Sequence, residues 1–150
     1  MVSPYGLIWN SENYYLVAFS HVHQEIRHYR VDKMTEIVVT ALAREGRERY
    51  PDFQLAQYGQ KHFGMYSGRE VMVTLRGRQE KAGLVWDRFG QDVILVPDGE
   101  EYFTVTLPVV MSPQFFGWLL GLGGSITITA PQEAVQAYRR SLSAALDQLP

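Results

Sequence analysis

The chain has 150 residues, a formal net charge of −2, a charged share of 20% and no cysteine. This length holds one domain or two small ones, and the lack of cysteine excludes disulfides, thiolate zinc sites and cysteine nucleophiles. The net charge excludes a general polyanion binder but allows a local basic patch. Residues 1–4 show no signal peptide, and the longest apolar run, 115–122, is too short to cross a membrane. We therefore expect a cytoplasmic protein.

The first forty residues predict three or four antiparallel strands joined by short turns. Residues 14–19 are rich in aromatic and β-branched side chains, and the polar cluster 10–13 before them predicts a turn. Residues 26–32 alternate between apolar and polar, which is typical of a strand, and the β-branched run 34–42 predicts a further strand. The segments 14–17 and 25–34 form the hairpin on which the functional hypothesis depends.

Residues 43–68 predict a linker between two domains. The segment 44–49 is charged and contains a glycine, which indicates solvated chain. Pro51-Asp52 predicts a short helix with Asp52 as its N-cap. Gly64, Ser67 and Gly68 predict a break after that helix. The domain boundaries that follow are 1–42, 43–68 and 69–150.

Residues 69–150 predict a β-α-β-β-α-β order followed by one more helix. The predicted strands are 70–75, 92–96, 102–110 and 125–129, and the predicted helices are 79–89, 113–122 and 131–149. Ser112 followed by Pro113 is a typical helix start. The last helix should turn five side chains inward: Val135, Tyr138, Leu142, Ala145 and Leu149. The order is that of a ferredoxin-like domain, so the fold class is α+β.

Three cations of the hairpin allow two interpretations. Arg27, Arg30 and Lys33 recur every three residues, a spacing that alternates faces on a regular strand. In one interpretation they are solvated charges that protect an edge strand from aggregation. In the other they bind an anion such as a phosphate or carboxylate, with nearby rings as stacking surfaces. The candidate rings are Tyr5, Tyr15, Tyr29 and His28.

Other motifs give weaker indications. His21 and His23 could share a metal ion if they lay on a strand, but no third ligand is evident, and polar turn residues are the alternative. The glycines at 121–124 follow a helix, whereas a phosphate-binding loop follows a strand. No Ser-His-Asp set and no tuned pair of carboxylates emerges. The sequence therefore predicts no catalytic residue, no metal site and no cofactor.

Several segments together resemble the WYL domain of bacterial transcriptional regulators. They are SPYGLIW, NYYLVAF and EIRHYRVDKM, in which Tyr14-Tyr15-Leu16 stands at the naming triplet with Tyr in place of Trp. The family's basic motif has Arg, Phe, Arg, Asp and Arg at the positions of Arg27, Tyr29, Arg30, Asp32 and Lys33, so Tyr29 and Lys33 depart from it. Residues 69–150 resemble the WCX extension that commonly follows a WYL domain.

The resemblance implies a fold and a role. The WYL domain is an Sm-like, SH3-type β-barrel that senses effectors, among them nucleotides or single-stranded DNA, and the WCX domain is ferredoxin-like and takes part in dimerisation or ligand binding. It also implies that a DNA-binding domain and the first barrel strands belong upstream of Ser3. We therefore expect a partial barrel whose open edge pairs with another copy or is covered by the last helix.

The functional hypothesis is an effector-sensing and oligomerisation region, not an enzyme. An anionic ligand would engage Arg27, Arg30 and Lys33, with Tyr5, Tyr15 and His28 as stacking partners. A homodimer is the expected assembly, with no membrane partner and with promoter DNA bound only through the missing domain.

Two alternatives belong to other classes. One is a stand-alone module that binds single-stranded nucleic acid on its sheets. The other is a small hydrolase, which would need a phosphate loop that the sequence does not show.

Overall fold

The computed structural model describes residues 1–66 and 68–150, so Ser67 of the predicted break lies outside the described residues. The chain divides into two compact units, Met1–Gly59 and Gln60–Pro150. We call them the first and second unit. The division falls inside the predicted linker 43–68. Among the described residues, none of the helices has the length and apolar character needed to cross a membrane.

The first unit is built on an open three-stranded antiparallel sheet. Its strands are β1 (Val2–Asn10), β2 (Asn13–Ser20) and β3 (Glu25–Arg30), in the spatial order β1-β2-β3. A two-residue turn joins β1 to β2, with Ser11 at φ 46° and Glu12 at φ 64°. Positive φ at both turn residues matches the right-handed twist of the paired strands, although glycine is the usual residue for it.

The predicted strand over residues 34–42 is wrong. A short 3-10 turn, Val31–Lys33, follows β3, and residues 34–42 then run without regular structure. The β-branched side chains of Ile37, Val38 and Val39 are exposed, Val39 to 94%. β-propensity expresses the packing of side chains on a pleated surface, and no described strand pairs with this run. Residues 34–42 therefore have the residue types of a β-strand but no described strand with which to pair.

The segment after residue 44 packs on the sheet instead of running as free chain. Gly46 is buried at φ 90°, and a Cβ added there would lie 2.4 Å from Cγ of Phe19. Helix α1 (Leu55–Lys61) begins two residues later than predicted, so Asp52 is not its N-cap. The reason is an intervening turn in which the amide of Phe53 donates to the carbonyl of Tyr50 at 3.2 Å.

The second unit confirms the predicted α+β class and element order. Strands β4 (Glu70–Arg78), β5 (Val96–Asp98), β6 (Tyr102–Val110) and β7 (Ile126–Ala130) form an antiparallel sheet. Its spatial order is β5-β6-β4-β7, with the first strand of the unit in the interior and the last at an edge, as in a split β-α-β fold. The helices are α2 (Ala82–Phe89), α3 (Pro113–Gly121) and α4 (Gln132–Leu146).

The core of the second unit lies between its sheet and its helices. Ser112 caps α3 as predicted, because its side-chain oxygen accepts from the amide of Phe115 at 3.3 Å. The core is formed by alternate residues of the strands and one face of each helix; its fully buried members include Val73, Leu75, Val85, Phe103, Val109, Phe115, Leu119 and Ile126. Helix α4 covers less than predicted, since Ala145 is exposed and Leu149, beyond the end of the helix, is 68% exposed.

Candidate functional site

The register of the first sheet assigns every predicted site residue of the hairpin to a face. Residues directly opposite each other in an antiparallel pair share a face. Tyr15 lies opposite Arg30, and Val17 lies opposite His28. Leu16 lies opposite Tyr29, and Ala18 lies opposite Arg27. His28 and Arg30 therefore belong to one face, and Arg27 and Tyr29 to the other.

The face with Tyr15 and His28 is covered by the chain itself, and we call it the covered face. The His28 ring lies 6.3 Å from those of Tyr15 and Tyr58, and its Nδ1 is 3.3 Å from the Tyr58 hydroxyl. Burial raises the pKa of Tyr58 to about 12, because the phenolate would lose its hydration. These predicted stacking partners are therefore held by ring contacts within the first unit.

Arg30 is held by acceptors of the protein. Its Nε and Nη2 donate to the two carboxylate oxygens of Asp32 at 3.0 and 2.8 Å, and Nη2 also donates to the side-chain oxygen of Asn13 at 2.8 Å. The guanidinium, as a hydrogen-bond donor, holds the pKa of the Asp32 carboxyl below its usual range. The Arg30 fork is thus occupied in the ligand-free protein.

Arg27 and Lys33 each lie near one acidic side chain. Arg27 Nε donates to Glu25 at 2.8 Å, and its side chain is 43% exposed. Lys33 is 71% exposed, with its Nζ 4.0 Å from Asp32. Exposed ion pairs of this kind exchange readily for other anions, since each contributes little in water. Because Arg27 and Arg30 lie on opposite faces, the thickness of the sheet separates their side chains.

Exposed rings accompany Arg27 on its face, which we call the open face and define by Leu7, Trp9, Tyr14, Arg27 and Tyr29. Trp9 lies opposite Tyr14, and their rings are 4.7 Å apart in an edge-to-face arrangement. Trp9 is 60% exposed and Tyr14 is 54% exposed. The sequence interpretation missed both residues as ligand contacts. Alternation along each strand was available as a signal, but only the register shows which faces coincide.

The open face continues into a groove beside the irregular segment 34–44. The groove has a volume of about 670 Å³ and is lined by Leu16, Tyr29 and residues of 34–44. Much of its lining is apolar, because Ile37, Val38 and Leu42 contribute exposed side chains. A contiguous apolar surface of this kind is typical of a site that meets a partner or a ligand.

Tyr5 lies away from Arg30 and also from Arg27 and Lys33. It occupies the register shift of β1 between Pro4 and Gly6, and its ring packs edge-on against Phe53 at 5.0 Å. Its hydroxyl is buried and has no hydrogen-bond partner among the described residues. Buried polar groups are almost always paired, so this one requires an explanation.

Three residues distant in sequence, Ser3, His21 and Glu45, form a hydrogen-bonded chain. Ser3 Oγ is 2.9 Å from His21 Nε2, and His21 Nδ1 is 3.3 Å from a Glu45 carboxylate oxygen. This connectivity matches a nucleophile, base and acid, which the sequence interpretation did not find. Ser3 is only 3% exposed, however, and its Oγ already accepts from the Glu45 amide at 2.9 Å. The chain of bonds therefore fastens residue 45 to β1 and offers no accessible nucleophile.

The histidines considered for metal binding lie in the turn after β2. The strand ends at Ser20, so His21 and His23 do not share a strand face, and His21 is engaged as described. Within residues 1–66 and 68–150, no group of three or more histidine, aspartate or glutamate side chains could hold a metal ion.

The comparisons with known proteins agree with the two units. The family model of the WYL domain matches residues 1–39, and that of the WCX domain matches residues 69–146. No curated protein matches the chain. Among solved structures, proteasome accessory factor B/C (PafBC) of Arthrobacter aurescens matches at 25% identity with a TM-score of 0.41. The alignment covers 98% of this chain and 22% of that protein, so the chain spans about a fifth of its length.

Proposed function

The chain belongs to the WCX-domain family, and on that premise we propose that it is the effector-sensing and oligomerisation region of a bacterial transcriptional regulator. In this proposal the first unit binds an anionic ligand, a nucleotide or a single-stranded nucleic acid, in the cytoplasm. Binding controls a DNA-binding domain that is not in this chain. The role is regulatory and not catalytic.

The observation that carries the proposal is a pair of exposed rings on the same face of the sheet as Arg27. Trp9 and Tyr14 offer stacking surfaces. Arg27 lies on the same face, opposite Ala18, which is four residues along β2 from Tyr14. Single-stranded nucleic acids bind to surfaces of this composition, because bases stack on rings while phosphates meet arginine or lysine. The open face thus supplies both kinds of contact without any rearrangement of the sheet.

The remaining predicted site residues take supporting roles in this proposal. Lys33 adds positive charge past the end of β3, whereas Arg30 lies on the covered face and would bind a phosphate there only in exchange for Asp32. Tyr15 and His28 hold the covered face and so fix the position of β3 from behind. Tyr5 belongs to a different part of the first unit.

Oligomerisation is proposed through the same open face. Leu7 and Trp9, together with Val38 and Val39 of the irregular segment, expose apolar surface that a second copy could bury. Effector and second copy would then compete for, or share, one surface. A ligand that binds one state of assembly better than the other shifts the equilibrium between them, which is the requirement for a sensor.

The alternative, a stand-alone nucleic-acid-binding module that uses the second sheet, has less support. The open side of that sheet presents Tyr102, whose ring lies 3.7 Å beneath the Arg76 guanidinium. Arg76 also pairs with Asp98 at 2.6 Å. The ring is therefore occupied by a cation of the protein, whereas no cation among residues 1–66 and 68–150 lies over the ring of Trp9 or Tyr14.

Titration with a short fluorescein-labelled oligothymidylate, followed by fluorescence anisotropy, tests the proposal. We expect Trp9→Ala to weaken binding by about 10-fold, since base stacking contributes about 1–3 kcal/mol. Arg27→Ala should weaken binding and reduce the slope of log K against log salt by about 0.7. Arg140→Ala is the matched control, because this exposed arginine of α4 belongs to the second unit.

The effector site is misassigned if the oligonucleotide fails to bind, or if Arg27→Ala and Arg140→Ala bind it with equal affinity. Sedimentation at increasing protein concentration tests the oligomerisation separately. A wild-type chain that stays monomeric, or a Trp9→Ala variant that associates as strongly as wild type, contradicts the shared surface.

A further inference from the structure

A second pocket of the first unit adjoins the groove beside the open face and shares Pro4 and Arg44 with it. It has a volume of about 480 Å³ and is formed where residues 44–53 pass over the beginning of β1. Pockets that bind small molecules commonly have volumes of about 300–1,000 Å³. Its lining combines aromatic rings with two guanidinium groups and one carboxylate: Pro4, Tyr5, Arg44, Glu45, Arg47, Tyr50, Pro51 and Phe53.

The charges of the pocket offer two guanidinium groups to an anion of low charge. Arg44 and Arg47 are exposed, and one N–H of Arg44 donates to the carbonyl of Pro4 at 3.2 Å. No ion pair of either arginine is found within the described part of the chain. The carboxylate of Glu45 is turned to His21, and Glu48 lies near enough to oppose ionisation of Tyr5. Two cations beside two acids leave little net charge, which disfavours a polyphosphate.

The rings of the pocket select a planar ligand. Phe53 packs edge-on against Tyr5 with centroids 5.0 Å apart, and Tyr50 lines the same space. Aromatic walls bind flat apolar rings well, and an arginine fork binds a carboxylate through two parallel hydrogen bonds. A ring that carries one carboxylate satisfies both features together.

The buried hydroxyl of Tyr5 completes the pattern. It has no partner among the described residues, and burial raises the pKa of its phenol while Arg44 and Arg47 act in the opposite direction. The hydroxyl is buried, so a ligand reaches it only by displacing a neighbouring side chain. Such a displacement alters the segment 44–53, which continues directly into α1.

We propose that this pocket binds a planar aromatic monocarboxylate, with its carboxylate on Arg47 and Arg44 and its ring between Tyr50 and Phe53. The hydroxyl of Tyr5 gains its missing hydrogen bond from the bound ligand. This site contains none of the five residues that define the open face and needs no oligonucleotide. The proposal gives the first unit a small-molecule input in addition to the effector surface.

The test uses 2-naphthoate as the probe, with isothermal titration calorimetry on the full chain. We expect Arg47→Ala to weaken binding by about 10-fold or more, because a hydrogen-bonded charge is lost. Arg47→Lys should recover part of the affinity, since it keeps the charge but not the fork. The uncharged 2-naphthalenemethanol should bind at least about 10-fold more weakly than 2-naphthoate.

Tyr5→Phe separates a binding role from a structural one. The substitution removes a hydroxyl that has no partner, so the thermal midpoint should stay equal or rise, while naphthoate affinity falls about 3- to 10-fold. Arg27→Ala is the control for the open face and should leave naphthoate binding unchanged. The site is refuted if naphthoate does not bind, if Arg47→Ala binds it like wild type, or if Arg27→Ala weakens it as much as Arg47→Ala. Binding of adenosine monophosphate in place of naphthoate would also refute the stated ligand class.

Discussion

The two units of this chain differ in how completely they bury their apolar residues. In the second unit, helices α2 and α3 and strands β4, β6 and β7 supply residues to a shared core, in which Phe103 and Phe115 are almost fully buried. In the first unit full burial is limited to a short stretch of β2, Val17 to Phe19, while Trp9 and Tyr14 remain exposed. Burial of this exposed aromatic surface against a ligand or partner would be favourable, because it removes apolar area from water. The first unit therefore leaves aromatic surface exposed, whereas the second encloses its aromatic residues in its own core.

The largest expected difference between the units comes from removing one ring in each. Phe115→Ala should lower the free energy of unfolding by about 3–5 kcal/mol, since it leaves a cavity in a closed core. Trp9→Ala should change it by no more than about 0.5 kcal/mol, because surface substitutions have small effects. Equal losses would show that the first unit has a core of comparable strength.

Urea denaturation followed by tryptophan fluorescence can separate the two units. The chain has three tryptophans, of which Trp9 belongs to the first unit and Trp86 and Trp118 to the second. A Trp9→Phe background therefore reports the second unit alone. In that background Phe115→Ala should move the transition to lower urea, whereas substitutions in residues 1–59 should not.

The next largest effect tests the packing of residues 44–59 on the first sheet. Gly46→Ala should destabilise the first unit by about 3 kcal/mol, because φ 90° strains an L-residue and the new Cβ meets the Phe19 ring. Gly83→Ala in α2 is the matched control, since its added methyl group meets nothing within 4 Å. It should raise stability by up to about 1 kcal/mol through helix propensity. Loss of stability in both variants would contradict the assigned packing.

A smaller effect is expected from the pH dependence of the covered face. The pKa of Tyr58 is raised to about 12 from an ordinary value near 10, so the folded state favours the protonated phenol. The contribution of this pKa difference to the free energy of unfolding is complete below pH 10 and is lost as the pH rises toward 12. We expect a loss of about 1 kcal/mol, less than the full shift implies because the ring is partly solvated. Tyr58→Phe should show a shallower decline than wild type across this range in thermal denaturation.

The smallest expected effect lies in the turn between β1 and β2. Glu12→Gly should stabilise the first unit by about 0.5–1 kcal/mol, because glycine adopts positive φ without steric cost. Glu12→Ala keeps the Cβ and should bring no such gain. Thermal midpoints of the three proteins measure the difference. An alanine variant as stable as the glycine variant would mean that the turn carries no strain.

The sequence predicted the second unit better than the first. Ser112 followed by Pro113 correctly placed the start of α3, and alternation correctly placed β4 and β6. These signals are local, and the core they produce is formed by residues of the same unit. The failure at residues 34–42 has the opposite cause, because a strand depends on a partner that local propensity does not reveal.

The candidate site was accessible to sequence analysis only in part. The spacing of Arg27 and Arg30 already placed them on opposite faces, and the structure agrees. Neither the occupied fork of Arg30 nor the exposed pair of Trp9 and Tyr14 followed from spacing, because both depend on residues in other strands or turns.

The sequence by itself determined the family, the α+β class and the residue types available for binding, since each of these is written in local patterns. Only the tertiary structure decided which side chains meet. Register brought Trp9 beside Tyr14, and the fold placed Arg44 and Arg47 in one pocket with Tyr5. The physical reason is that faces and pockets are products of long-range pairing, in which a shift of one residue exchanges every side chain between the two faces of a sheet.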